Sequence, residues 1–569
     1  MAVCLKTPSD EGVIRTTSNT LPHHPQVGWY VLLAAILGSS MAYIDGSVVN
    51  VVLPLLQADV HATAADVQWV MEIYLLFLAA FILLGGILGD HYGRRRLFII
   101  GMVIFILASI CCGFAPNLIV LLLARAIEGL GGALLVPGSL AIISGAFSGD
   151  QREQAIGIWS AGIAIASILG PVSGGWLVQQ ASWRAAFFLN VPLAVIALSV
   201  ALSKVPESRD EACQGPHDVW GALLTVIGLG AIVFGLIEAS SLGILHPLVL
   251  GVLAGGIVAL AAFLLVEEHV KAPLLPLSLF RSRSFSGTNL LTLLLYAAFG
   301  GITFLLPFNL IQVQGYSPTA AGAVLIPYFL LLCLLSRWAE HLADHFGAQL
   351  PLVVGPIVTA IGIALFAAPT ISGTYWVTFF PAVLVMGLGM TLNTAPMTTI
   401  VMSSVEQRHA GMASAINNAV ARLGGLLAIA VLGIILVSAF NTSLDSHLAH
   451  LPLAPAVRHI VDAQRVKLAG IQLPAGTNGQ VRAALKLAID ESYVSGFRLA
   501  ALMCAGLALA GALCGWLMLA PMELRTKRQF SLVLNNPPME TIYTVKRSEP
   551  HDPHLHEEQR RDGDQCLHG

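Results

Sequence analysis

The chain has 569 residues, of which 56% are hydrophobic and only 11% charged, with a mean hydropathy of +0.79. A water-soluble globular chain of this size has too few polar residues here to cover its surface, so the composition specifies a polytopic membrane protein. A formal net charge of -3 excludes the basic footprint that a nucleic-acid partner requires.

The first two dozen residues are polar, and the apolar run that follows is far longer than a signal-peptide core, so the first span reads as an uncleaved anchor. About 20 helical residues cross about 30 Å of hydrocarbon. Fourteen runs of roughly that length follow in order, at about 29-55, 67-89, 97-115, 117-143, 154-178, 186-204, 218-240, 246-266, 285-312, 319-339, 350-369, 375-401, 410-438 and 493-520. They are continuously apolar, without the alternation of a membrane β-barrel, so the expected class is an all-α membrane protein with fourteen transmembrane helices.

Arg94, Arg95, Arg96, Arg152, Lys204, Arg209, Lys271, Arg281, Arg283, Arg337 and Arg408 lie after even-numbered spans, and only Arg184 lies in the short loops after odd-numbered ones. The positive-inside rule then puts both termini in the cytoplasm of a cell bounded by its inner membrane. The expected organisation is a tail over 1-28, a six-helix bundle over 29-204, a linker with two extra helices over 205-284, and a second six-helix bundle over 285-520. Within the last, 440-492 is expected outside the cell, with RAALKLAIDESYVSGF as an amphipathic surface helix. Residues 521-569 lack apolar periodicity and read as a disordered cytoplasmic tail, whose His551, His554 and His556 are polar-tail residues rather than a metal site. The eight cysteines include no C-x-x-C pair, so neither a disulfide framework nor a metal centre is implied.

The break after span 2, GILGDHYGRRR, is echoed after span 10 by EHLADHFGAQL. Leu88, Asp90, His91 and Gly93 align with Leu342, Asp344, His345 and Gly347 at a constant offset of 254 residues (344 minus 90). Equivalent turns eight spans apart are what two six-helix halves separated by two added helices produce. In the first copy Gly86 and Gly93 are expected to permit close approach of helices and turn, Asp90 to hydrogen-bond or face a helix N-terminus, and Arg94 and Arg95 to hold the loop at an anionic membrane face.

Charged residues inside the spans mark the candidate site. Counted from the outer ends at 1.5 Å per residue, Asp45 lies about 15 Å deep, Arg125 about 12 Å, Glu128 about 16 Å and Glu72 about 8 Å. Arg125 and Glu128, three apart on a helix, share a face. Glu72 is shallow enough to snorkel to water. Inserting a charged Asp at mid-span costs about 2.5 to 3.5 kcal/mol, a penalty that a proton removes and a nearby arginine offsets, so the opposition of Asp45 and Arg125 suits proton coupling. Arg422 reaches a comparable depth in span 13, and Asn50 and Asn418 join it as cavity candidates.

These residues resemble the fourteen-span drug:proton antiporter branch of the major facilitator superfamily. IDGSVVNVVLP resembles the branch's first-span motif, GILGDHYGRRR the loop motif, RAIEGLGGA the span-4 motif built on a buried arginine, and ASILGPVSGG the antiporter motif, which carries Gly170, Pro171, Gly174 and Gly175. WRAAFFLNVP and NNAVARLGG also fit. The resemblance implies two pseudo-symmetric bundles around a substrate cavity and proton-driven export of amphipathic drugs by alternating access. The alternatives are an exporter of an endogenous metabolite, siderophore or lipid, or a proton-coupled uptake symporter. No nucleophile, zinc-protease or phosphate-loop motif points to an enzyme or ATP-driven pump, and no cofactor is implied. The partners implied are membrane lipid, a small amphipathic substrate and protons, and a periplasmic adaptor protein is compatible with the reading.

Overall fold

The computed structural model describes residues 25-208, 219-270, 273-371, 373-406, 410-451, 453-473 and 478-519. The tail regions 1-24 and 520-569, and with them the expected disordered C-terminus, lie outside the described residues. Among the described residues the secondary structure is entirely helical. Thirteen helices are long and apolar enough to cross a membrane, and the shorter Gln349–Leu365 occupies the eleventh run. Every one of the fourteen apolar runs is therefore a helix, because hydrocarbon offers the backbone no hydrogen-bond partner except itself.

Local chemistry sets several ends. Span 2, Ala64–Tyr92, starts with a reciprocal capping box, in which Thr63 N–H donates to Asp66 Oδ2 at 2.9 Å and Asp66 N–H donates to Thr63 Oγ1 at 3.1 Å. Span 4, Leu118–Ala146, is capped by Asn117, whose Oδ1 accepts from Val120 N–H at 3.0 Å. Span 9, Arg283–Phe308, meets Pro307 and passes into a π-turn at Asn309–Val313, the relaxation that a proline without an N–H imposes.

Spans 1 to 6 pack chiefly on one another, as do spans 9 to 14, and span 7 lies against spans 2 and 13 with span 8 outside it. Two elements depart from the sequence reading. Span 13 runs as one helix Ala410–Ala449 and span 14 as one helix Gly479–Met518, each 40 residues or about 60 Å long. RAALKLAIDESYVSGF is thus the first part of span 14 rather than a separate surface helix, since nothing in it breaks the backbone ladder. Between these helices, Pro455–Ala463 and the 3₁₀ turn Arg465–Gly470 cross the far end of the bundle, the end where span 1 finishes and span 2 begins.

Side-chain bonds between the two groups gather at that far end. Gln57 Nε2 donates to Lys467 O at 3.2 Å, Gln312 Nε2 to Gln57 Oε1 at 2.9 Å, Gln68 Nε2 to Ile429 O at 3.1 Å and Thr319 Oγ1 to Gln179 Oε1 at 2.7 Å. The halves close on each other there.

Candidate functional site

Span 1, Pro25–Asp59, brings Asp45 against span 4. Arg125 Nη1 lies 2.6 Å from Asp45 Oδ2 and 2.9 Å from Glu128 Oε2, so one guanidinium serves two carboxylates. All three are sealed: Asp45 is 2% exposed and Arg125 and Glu128 are wholly buried. Arg125 Nε donates to Val70 O at 3.1 Å, and its guanidinium carbon sits 4.3 Å from the centroid of the Tyr74 ring. Tyr74 in turn donates to Ala42 O at 3.2 Å, tying span 2 to span 1. Cys112 Sγ donates to Glu128 Oε2 at 3.5 Å. With both carboxylates ionised the cluster carries one negative charge more than its cation balances, and a single added proton makes it neutral.

Glu72 departs from its sequence-based depth. It is wholly buried rather than snorkelling, and among the described residues neither carboxylate oxygen has a hydrogen-bond partner. Its neighbours one turn away on either side, Gln68 and Leu76, both meet span 13, Gln68 through Ile429 and Leu76 in a cluster with Leu426 and Ala430, so packing between the halves covers this stretch. Asn50 donates to Gly46 O at 3.3 Å and keeps a buried Oδ1 without partner, whereas Asn418 is exposed and donates to Ser414 O at 3.1 Å. Arg422 is half-buried, its guanidinium carbon 5.8 Å from the centroid of the Tyr43 ring across the two halves.

At the loop after span 2, Gly93 has φ +112°, reserved for glycine, and the equivalent Gly347 has φ +84°. The repeat is thus a repeat of backbone conformation. Around the first copy the structure adds a residue that the sequence reading missed, Glu207. Its Oε1 accepts from Arg95 N–H at 3.1 Å, its Oε2 lies 3.6 Å from Arg96 Nε, and a Cβ on Gly93 would meet Oε1 at 2.7 Å. Arg95 also donates through Nε to Ala201 O at 3.0 Å, and Arg94 N–H donates to Ser208 O at 2.9 Å, so the arginines pin the loop to the end of span 6. A Cβ on Gly347 would meet nothing within 4 Å. Gly93→Ala is therefore expected to destabilise the protein by about 1–3 kcal/mol and Gly347→Ala by visibly less, read as melting temperatures of the purified variants. Equal shifts would mean that the Glu207 cradle contributes nothing.

One expectation about this loop changes. The close helix approach falls on Gly85, whose Cβ would collide with the Ala133 carbonyl, while one on Gly86 would make an ordinary contact with Pro137 at 3.7 Å. The side chain of Asp90 lies outside the described residues.

The antiporter-motif glycines form a seam. A Cβ on Gly170 would press Ser47 Oγ at 2.6 Å and one on Gly174 would press Val48 Cγ1 at 2.5 Å, seating span 5 on span 1. Gly175 faces the Pro318 carbonyl and Gly322 faces the Pro171 carbonyl, so the same stretch meets the start of span 10 in the other half. Pro171 lies inside the span-5 helix, Gly149–Gln180.

A family profile described as the Major Facilitator Superfamily matches residues 35-429. The chain belongs to the Major Facilitator Superfamily. Its relatives are drug-resistance transporters of this superfamily. The chain is 32% identical over 496 residues to the multidrug resistance protein Stp of Mycobacterium tuberculosis, covering 85% of this chain and 91% of the relative. It is also 32% identical over 508 residues to the tetracenomycin C resistance and export protein of Streptomyces glaucescens, covering 88% and 93%. To the methylenomycin A resistance protein of Bacillus subtilis it is 34% identical over 417 residues, covering 72% and 88%. Among solved structures, a bacterial homologue of the human lysosomal transporter Spinster, inward-facing and occupied, superposes with a TM-score of 0.62 at 16% identity, covering 86% of this chain and 96% of that one, and so shares the fold. This major facilitator chain is a multi-pass membrane transporter of the multidrug-efflux kind, and it is no enzyme.

Proposed function

We propose that the protein exports amphipathic drugs or related small molecules in exchange for protons, by alternating access between its two six-helix halves in the inner membrane. One observation carries the reading: Arg125 is a lone guanidinium shared by two buried carboxylates, Asp45 and Glu128, at 2.6 and 2.9 Å. Such a cluster neutralises itself by taking one proton, and drawing Asp45 away from Arg125 in another conformation changes how tightly that proton is held. Glu72, buried without a partner, is a second acid that protonation would relieve.

The loops rich in arginine lie at the end of the bundle where the described chain begins and finishes, which supports a cytoplasmic placement for that end. Closure at the opposite end by Gln57, Gln312 and Gln68 then fits a state loading from the cytoplasm. One proton entering across 100 mV supplies about 2.3 kcal/mol to the cycle. The names of the relatives, resistance to several drugs for one and resistance and export for another, support the outward direction.

The test is expression in a bacterium stripped of its own efflux pumps, with dye accumulation followed by fluorescence. Accumulation is expected to fall on expression and to recover when a protonophore is added. Low accumulation that persists with the protonophore would rule out proton coupling.

A further inference from the structure

Arg422 stands apart from the Arg125 cluster. It lies in span 13 between the halves, half-buried, and among the described residues it makes no hydrogen bond or ion pair. Asp45 does not answer it, because that carboxylate is sealed against Arg125. What Arg422 does have is aromatic company. The Tyr43 ring lies 5.8 Å from its guanidinium carbon, and the half-buried Tyr296 of span 9 is in electrostatic range of both.

There is also room beside it. Gly46, one turn beyond Tyr43, and Gly425, one turn beyond Arg422, would each carry a Cβ into space with nothing within 4 Å. Farther along the Tyr43 face of span 1, Asn50 holds a buried Oδ1 without a partner. A guanidinium held inside the membrane without a counter-charge is costly, and the cheapest remedy is a ligand that brings one. Arginine is also the side chain that stacks on an aromatic plane while gripping a carboxylate through two parallel hydrogen bonds. A lipophilic cation would instead meet a like charge.

Resting on the export reading above, we propose that Arg422, with Tyr43 and Tyr296, forms a subsite for the ionised acid group of a planar aromatic substrate, so that this carrier favours aromatic acids over aromatic cations. An anion leaving an interior-negative cell also moves with the field rather than against it.

The experiment uses anthracene-2-carboxylate and its uncharged isostere anthracene-2-carboxamide, with ethidium as the planar cation. Binding is followed by anthracene fluorescence on the purified full-length protein, and uptake in everted vesicles. The wild type is expected to bind the carboxylate at least about tenfold more tightly than the carboxamide, consistent with a charge-assisted bidentate contact. Arg422→Gln is expected to bring the two affinities together, abolishing that preference. Arg422→Lys, which keeps the charge, should lose part of it and decides the matter if the glutamine variant does not fold. Equal wild-type affinity for the two ligands, or an unchanged preference in both variants, overturns the subsite. Vesicles that take up ethidium but neither anthracene compound overturn the substrate class and leave export standing, whereas vesicles that take up none of the three overturn the export reading itself.

Discussion

Asp45→Asn is expected to reduce export to the level of vesicles lacking the protein, while leaving the chain inserted and folded. The separation of the two effects follows from charge. In the wild type Arg125 is shared between Asp45 at 2.6 Å and Glu128 at 2.9 Å. Asparagine keeps the shape and the hydrogen-bond acceptor of aspartate, and Glu128 remains to balance Arg125, so no buried charge is orphaned. What disappears is one of the two carboxylates between which a proton can be traded. Drug-induced proton release from energised everted vesicles is the readout, with membrane abundance and elution profile as controls. Release at the wild-type level in the asparagine variant would remove Asp45 from the coupling mechanism. Glu128→Gln leaves the complementary Asp45–Arg125 pair, so comparing the two variants assigns the proton to one carboxylate or to both.

The fourteen spans were legible because the bilayer imposes a length and an apolarity on every crossing, and both are properties of consecutive residues. The repeated loop was legible for a similar reason: the left-handed backbone at Gly93 and Gly347 demands glycine at each. The meeting of Arg125 and Glu128 could be read from their spacing, and Asp45 from its matching depth. Quantities that depend on the rotation of one helix against another were not legible. Depth along span 2 puts Glu72 within reach of water, but span 13, more than 350 residues away, packs over that stretch of the helix. The choice between Gly85 and Gly86 is a matter of 100° of helix rotation, settled only by where the Ala133 carbonyl lies. Glu207 is one of several acids in the polar break after span 6, and its value comes from Arg95, 112 residues earlier. The open space in the Cβ directions of Gly46 and Gly425 leaves no mark on the sequence at all.

Removing Arg125 tests the same cluster through stability instead of transport. Arg125→Leu keeps an apolar side chain at the position but removes the guanidinium, whose carbon lies 4.3 Å from the centroid of the Tyr74 ring, and with it the cation shared by two carboxylates that are 2% and 0% exposed. Breaking a buried pair by deleting one partner costs about 3–5 kcal/mol, because the partner keeps its desolvation penalty and loses its compensation. The single variant is therefore expected to melt well below the wild type and to reach the membrane in smaller amounts. Adding Asp45→Leu and Glu128→Met removes the orphaned charges, and replacing a buried ionic cluster with apolar groups of similar volume is close to neutral in cost. The triple variant should recover most of the lost melting temperature while remaining unable to release protons in response to drug. A single variant as stable as the wild type would show that the carboxylates do not depend on Arg125 for compensation. A triple variant that exports normally with proton release would place the coupling outside this cluster, and Glu72, wholly buried in span 2, is the next acid to substitute.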